Sequence, residues 1–282
     1  MYQYIAKYLV LNRVFKFFEK ATLPSLLIGI TGFLLASYLA IYVLPADAEQ
    51  KEIYRILFVH VPSAILSELI YIFLAVNGFI YLVWRTKISA IFLNSAISIG
   101  LIFTGLVLMT GSIWGKPTWG TYWVWDARIT STFILFIQYI GLLALRSSFS
   151  SHQTADQIVS ILAIIGAINI PIIKFSVDWW NTLHQSASIT TSGSSIDAEM
   201  LYVLPIMLIA LLFISFAIFG RNIQFEILNR SSSTRMIKGV LNGYPIYCFN
   251  YVCTLYFFHF AALFSFTYEI FKKIERLPGR FK

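Results

Sequence analysis

Four of the seven tryptophans in this chain fall within a dozen residues, at Trp114, Trp119, Trp123 and Trp125, and the segment closes on Asp126 and Arg128. An interfacial aromatic belt accounts for one or two tryptophans at a membrane surface. Four of them, interleaved with glycines and edged with charge, fit a shelf for a large planar apolar ligand that carries anionic groups. Each indole stacked on such a ligand contributes about 0.5–1.5 kcal/mol beyond the area it buries. Arg128 and Lys116 could pair with its carboxylates. Haem has that shape and charge.

Histidine supplies the matching iron chemistry. His60 stands in Val59-His60-Val61-Pro62, and His184 follows the pair Trp179-Trp180. One histidine near an interface is ordinarily a hydrogen-bonded structural residue. Two of them on the same face as the tryptophan segment suggest bis-imidazole axial ligation of haem iron. His152 falls at the opposite end, where it is expected to be solvated. His259 lies within a late apolar stretch, and Glu68 lies inside the second one; ionisable groups at such depth are functional candidates by default. Cys248 and Cys253 form neither a CxxC redox pair nor a haem-attachment motif.

The elements that position these residues are read from hydropathy. The chain is 58% hydrophobic and only 12% charged over 282 residues, against about 25% charged in ordinary globular chains. Its mean hydropathy is +0.75. These values exclude a soluble domain, and the long unbroken apolar runs exclude a transmembrane β-barrel. An all-α polytopic membrane protein remains, embedded in lipid. Spans are expected at 24–44, 61–84, 89–113, 129–145, 158–173 and 200–220, with a seventh apolar stretch at 244–266; the fourth and fifth are short for a bilayer, so they tilt little or extend into their flanks. Gly115, Pro117 and Gly120 argue against a continuous helix through the tryptophan segment.

The net charge of +8 does not indicate nucleic acid, because the basic residues lie in short connectors. With the N-terminus on the negative side, that side holds eleven lysines and arginines and the opposite loops five, counted to Lys238. Helix parity then puts His60, His184 and the tryptophans together on the outer face. If 244–266 also crosses, the basic tail from Lys272 to Lys282 lands outside; either that stretch is re-entrant or interfacial, or the charge rule fails there. The organisation expected is an inner-side segment 1–23, a six-helix membrane domain 24–220 and an extension 221–282. Residues 1–20 show no signal-peptide cleavage pattern.

The residues also resemble a known family. The string Trp114-Gly-Lys-Pro-Thr-Trp-Gly-Thr-Tyr-Trp-Val-Trp-Asp-Ala-Arg128 is similar to the WWD signature of haem-handling proteins in cytochrome c maturation. Phe58-Val-His-Val-Pro-Ser63 and Trp179-Trp-Asn-Thr-Leu-His-Gln185 resemble the cytochrome c maturation protein C (CcmC) family within that group. The resemblance implies a six-helix inner-membrane protein that binds haem b on its outer face and presents it to the haem chaperone CcmE, whose own histidine captures it covalently. It implies CcmA and CcmB, an ABC-transporter pair, and the small subunit CcmD as partners. Carried over, His60 and His184 are the axial ligands, Trp114, Trp119, Trp123, Trp125 and Asp126 the platform, and Arg128 the propionate partner. Asp47, Gln50 and Arg55 match too, at the haem edge or the chaperone contact. The family ordinarily ends soon after its sixth helix, and 221–282 departs from it.

Heavy use of phenylalanine, with no visible import presequence, favours a mitochondrially encoded inner-membrane protein; a bacterial plasma membrane is the alternative. There is no Walker, GxSxG or HExxH motif, so a haem-presenting component is expected rather than a stand-alone enzyme. A cytochrome c synthase subunit of the other maturation system is a second reading, but its segment typically continues Trp-Asp-Pro-Lys. A polytopic permease would explain Glu68 and leave the tryptophan shelf without a purpose.

Overall fold

A computed structural model describes residues 2–184, 189–190, 193–194 and 196–231. The stretch 244–266, with His259 and both cysteines, lies outside them. Within the described residues six helical segments are long and apolar enough to cross a membrane: Val10–Val43, Glu52–Trp84, Lys87–Trp119, Ala127–Ser148, His152–Trp179 and Ala198–Arg230. The chain is therefore a multi-pass α-helical membrane protein, as its hydropathy predicts. Leu27, Leu34, Leu69, Val76, Phe79 and Ile209 stay exposed on the helices. That is the face a lipid-embedded bundle presents, since hydrocarbon does not penalise exposed leucine.

Helix α1 (Tyr2–Tyr38) runs straight through Pro24 and ends in a π-helical turn, Leu39–Val43. It does not begin at Pro24 as expected. A mid-helix proline costs about 3 kcal/mol. Close packing on α8 (Val203–Ser231) along Thr22, Ser25, Ala36 and Ala40 offsets that cost. A 3₁₀ turn, Glu52–Ile56, leads into α2 (Leu57–Trp84), followed by α3 (Lys87–Trp119) and α4 (Ala127–Ser148).

The fifth crossing is split into α5 (His152–Gly166) and α6 (Asn169–Trp179). Pro171 explains the break. It has no N–H to offer the Ala167 carbonyl, which instead accepts from Ile170 N at 3.1 Å. Proline in a helix's first turn is well tolerated, because the missing N–H would be unpaired there anyway. Asn169 Nδ2 donates to the Ser131 carbonyl at 2.9 Å and ties α6 to α4. A two-residue strand pair, Ile189–Thr190 with Gly193–Ser194, and the short α7 (Ala198–Leu201) precede α8.

Beside a smaller cluster of Phe18, Ile91, Ile223 and Ile227, two large apolar clusters form most of the core. One joins Phe33, Phe58, Phe103, Leu106 and Met207 from α1, α2, α3 and α8. The other joins Tyr71, Leu93, Leu135, Tyr139 and Val159 from α2 to α5. The end of the bundle away from the tryptophans is closed by ions. Arg230 donates to both carboxylate oxygens of Asp156 at 2.7 and 2.8 Å and to Glu226 Oε1 at 2.7 Å. Arg146 reaches the same Glu226 oxygen at 2.6 Å, and Asn94 Nδ2 donates to Asp156 Oδ1 at 2.8 Å. His152 is half-buried against Arg146 at 3.0 Å, not solvated as expected. These partners come from four helices, and apart from Glu226 and Arg230, four apart on α8, no local spacing in the sequence announces them.

Candidate functional site at the tryptophan end

The tryptophan segment is divided between a helix and a loop. Trp114 and Trp119 lie on the last turns of α3, so the helix continues through Pro117 where a break was expected. It stops at Gly120, whose φ of 81° is left-handed and whose N–H caps the Lys116 carbonyl at 3.0 Å. Trp123 and Trp125 follow in the loop and pack edge to face on each other at 5.3 Å and on Phe133 of α4 at 5.8 and 6.1 Å. Asp126 is the N-cap of α4, its Oδ1 accepting from Ile129 N at 2.8 Å.

Each histidine stands against one of the two helical tryptophans. The His60 ring meets Trp114 edge to face at 5.7 Å. His184 lies tilted over Trp119 at 6.3 Å. His184 and Arg128 are both within electrostatic reach of His60. Residues separated by more than a hundred positions are thus gathered at one end of the bundle.

The surroundings hold these rings in place. His60 Nδ1 lies 2.9 Å from Thr110 Oγ1 on α3. Gly111, the next residue, leaves room for the imidazole: a Cβ there would sit 3.2 Å from His60 Cε1. At Gly115 a Cβ would come within 3.0 Å of the Trp119 ring. Trp114 Nε1 donates to Gln50 Oε1 at 2.8 Å, while Gln50 N and Glu49 N donate to Asp47 Oδ1 at 2.6 and 2.9 Å. Asp47 thus orders a turn that holds Gln50, and Gln50 holds Trp114.

Arg55, expected at the haem edge or the chaperone contact, is buried. It is 3% exposed, with Nε on Glu52 at 2.7 Å, one Nη on the Leu44 carbonyl at 3.0 Å and the other on the Ala40 carbonyl. Its guanidinium closes the end of α1. Arg128 straps α4 to α6 through Ser176 Oγ and the Lys174 carbonyl, both at 3.2 Å. Those bonds engage Nε and one Nη of a five-donor group. Glu68 lies within electrostatic reach of Arg128 and Lys174.

Two buried polar atoms of the segment, Trp123 Nε1 and Asp126 Oδ2, have no hydrogen-bond partner among the described residues. Such orphans are costly unless something else pairs them. Trp125, Tyr122, Trp179 and Trp180 are half or more exposed at the same end. Among the described residues no three His, Cys, Asp or Glu side chains converge as a bare metal ion would require. Two imidazoles framed by indoles suit a metal already held in a planar macrocycle.

Sequence reasoning had not singled out Thr110 and Gly111. They precede Trp114 by four and three positions, which puts all three on one helix face. That spacing is the signal that would have found them.

The fold and this one-ended site define a polytopic helical membrane protein with paired histidines set into an aromatic shelf. The chain matches the CcmC family, described as heme exporter protein C, over residues 5–238, and it belongs to that family. It is 49% identical over 187 residues to a ccmC-like mitochondrial protein of cytochrome c biosynthesis from Marchantia polymorpha, covering 66% of this chain and 78% of that one. Heme exporter protein C of Bradyrhizobium diazoefficiens is 42% identical over 219 residues, 77% of this chain and 80% of its own. That of Escherichia coli is 48% identical over 156 residues, 55% and 63% of the two chains. The family is one of haem handling in cytochrome c biogenesis.

Proposed function

We propose that this chain holds haem b as cargo between His60 and His184 on the outer face of the mitochondrial inner membrane and presents it to the chaperone CcmE. The observation that carries the reading is the pairing of each histidine with a tryptophan of the same helix end, at 5.7 and 6.3 Å. Haem iron takes one nitrogen ligand on each face of its ring, and two imidazoles satisfy it. Trp114, Trp119, Trp123 and Trp125 supply aromatic surface for the macrocycle, and the spare N–H groups of Arg128 suit a propionate. The orphaned Trp123 Nε1 and Asp126 Oδ2 are a donor and an acceptor for the rest of the ligand or its bound water. Arg55, Asp47 and Gln50 act behind this layer by fixing the chain that bears them.

The chain would work beside CcmA, CcmB and CcmD, with bond formation left to the chaperone's histidine. A mitochondrial setting is supported by the ccmC-like mitochondrial relatives of Marchantia polymorpha and Arabidopsis thaliana. The deciding experiment is an optical spectrum of the detergent-purified protein expressed with excess haem, beside His60→Ala and His184→Ala. A low-spin bis-imidazole spectrum in the parent, lost or turned high-spin in each variant, is the expected result. A parent without haem, or variants with an unchanged low-spin spectrum, would overturn the ligand assignment.

A further inference from the structure

We infer that Thr110 is a positioning residue for His60: it fixes the ring as the Nδ1–H tautomer and so presents Nε2, with its lone pair, to the iron. The inference rests on the haem-ligand reading above and deepens it. Thr110 Oγ1 has a single proton. It lies 2.6 Å from the Leu106 carbonyl one turn back and 3.3 Å from that of Val107. If that proton pointed at His60 instead, the hydroxyl and Leu106 oxygens would face each other lone pair to lone pair at 2.6 Å. The proton therefore belongs to Leu106, and the hydroxyl can only accept from the imidazole 2.9 Å away. An acceptor at Nδ1 requires a hydrogen there, which leaves Nε2 unprotonated.

Helix geometry makes this arrangement rigid. The Thr110 back-bond to its own helix locks the hydroxyl rotor, and the residue is fully buried. Gly111 lets the imidazole come close enough to α3 to make the contact. Trp114, one turn further along, stands against the same ring. A metal-ligating histidine whose other nitrogen donates to a fixed acceptor is held in one tautomer and is a more basic ligand, and loss of such a partner typically weakens metal binding about 10–100-fold.

The test starts from the haem-free protein. With ¹⁵N-labelled histidine, and His60→Ala to assign the resonance, the parent is expected to show His60 protonated at Nδ1 alone. Thr110→Val, which keeps the shape and removes the hydroxyl while leaving the Val107 backbone carbonyl beside the ring, should move part of the His60 population toward the Nε2–H form that free histidine favours, and Thr110→Ser should restore the parent pattern. On loading with haem, Thr110→Val should bind about 10–100-fold more weakly with a raised reduction potential, and Thr110→Ser close to the parent. An Nε2–H signal in the haem-free parent, or a tautomer unmoved in Thr110→Val, would overturn the inference. Failure of the haem-ligand reading would appear separately, as an unchanged spectrum in loaded His60→Ala.

Discussion

Alanine at Gly111 separates the fold from the site. In a helix interior, Gly→Ala is worth up to about 1 kcal/mol of stability, so α3 itself gains from the change. The new Cβ, however, would lie 3.2 Å from His60 Cε1, inside the 3.4–4 Å of ordinary contact, and the ring must retreat by a few tenths of an ångström. That retreat is directed away from α3 and lengthens the 2.9 Å bond to Thr110. A neutral hydrogen bond contributes about 0.5–1.5 kcal/mol, and stretching it without breaking it gives up about half, roughly two- to threefold in haem affinity, less than the ~10–100-fold expected when Thr110→Val removes the partner. Gly141→Ala in α4 is the control, because its Cβ would meet only Leu162 at an ordinary 3.8 Å. Both variants should melt at or above the parent temperature without haem. In haem titration followed at the Soret band, only Gly111→Ala should weaken. Unchanged haem affinity and spin state in Gly111→Ala, or an equal loss in Gly141→Ala, would refute the claim that this glycine sets the position of His60.

Three further outcomes follow from the same contacts. Arg55→Met removes the ion pair to Glu52 and the donors to the Ala40 and Leu44 carbonyls, so stability should fall by about 1–3 kcal/mol while the folded fraction still takes up haem; haem loss at unchanged melting temperature would restore Arg55 to the cargo. Asp156→Asn should cost a similar amount by leaving Arg230 short of its bidentate partner, and Asp156→Leu with Arg230→Met should lose less than the two single changes added, as read by thermal unfolding in detergent. Asp126→Asn keeps the cap on α4 and should be nearly neutral for stability, whereas Asp126→Ala should cost about 1 kcal/mol; equal melting temperatures for the two would show that the cap bond contributes nothing.

Much was legible in the residues alone. Unbroken apolar runs have only one solution in hydrocarbon, the helix, because every backbone N–H and C=O must be paired within the segment. The six crossings follow from that, and parity then brings His60, His184 and the tryptophans to one end without any knowledge of packing. The local breaks were less legible. Pro117 reads as a helix break and Pro24 as the start of a span, yet the helices run through both, because tertiary contacts outweigh a penalty of about 3 kcal/mol. Pro171, inside the span expected at 158–173, is the proline that divides a crossing.

Composition and periodicity settled that this is a helical membrane protein and which residue types meet at its tryptophan end, since both depend only on what each side chain does in lipid and on the direction of each crossing. Only the tertiary structure decided that Arg55 closes a helix end, that four helices share one ion network, and that Thr110 and Gly111 seat His60. Those roles depend on distances between residues far apart in the chain, and hydropathy carries no information about such distances.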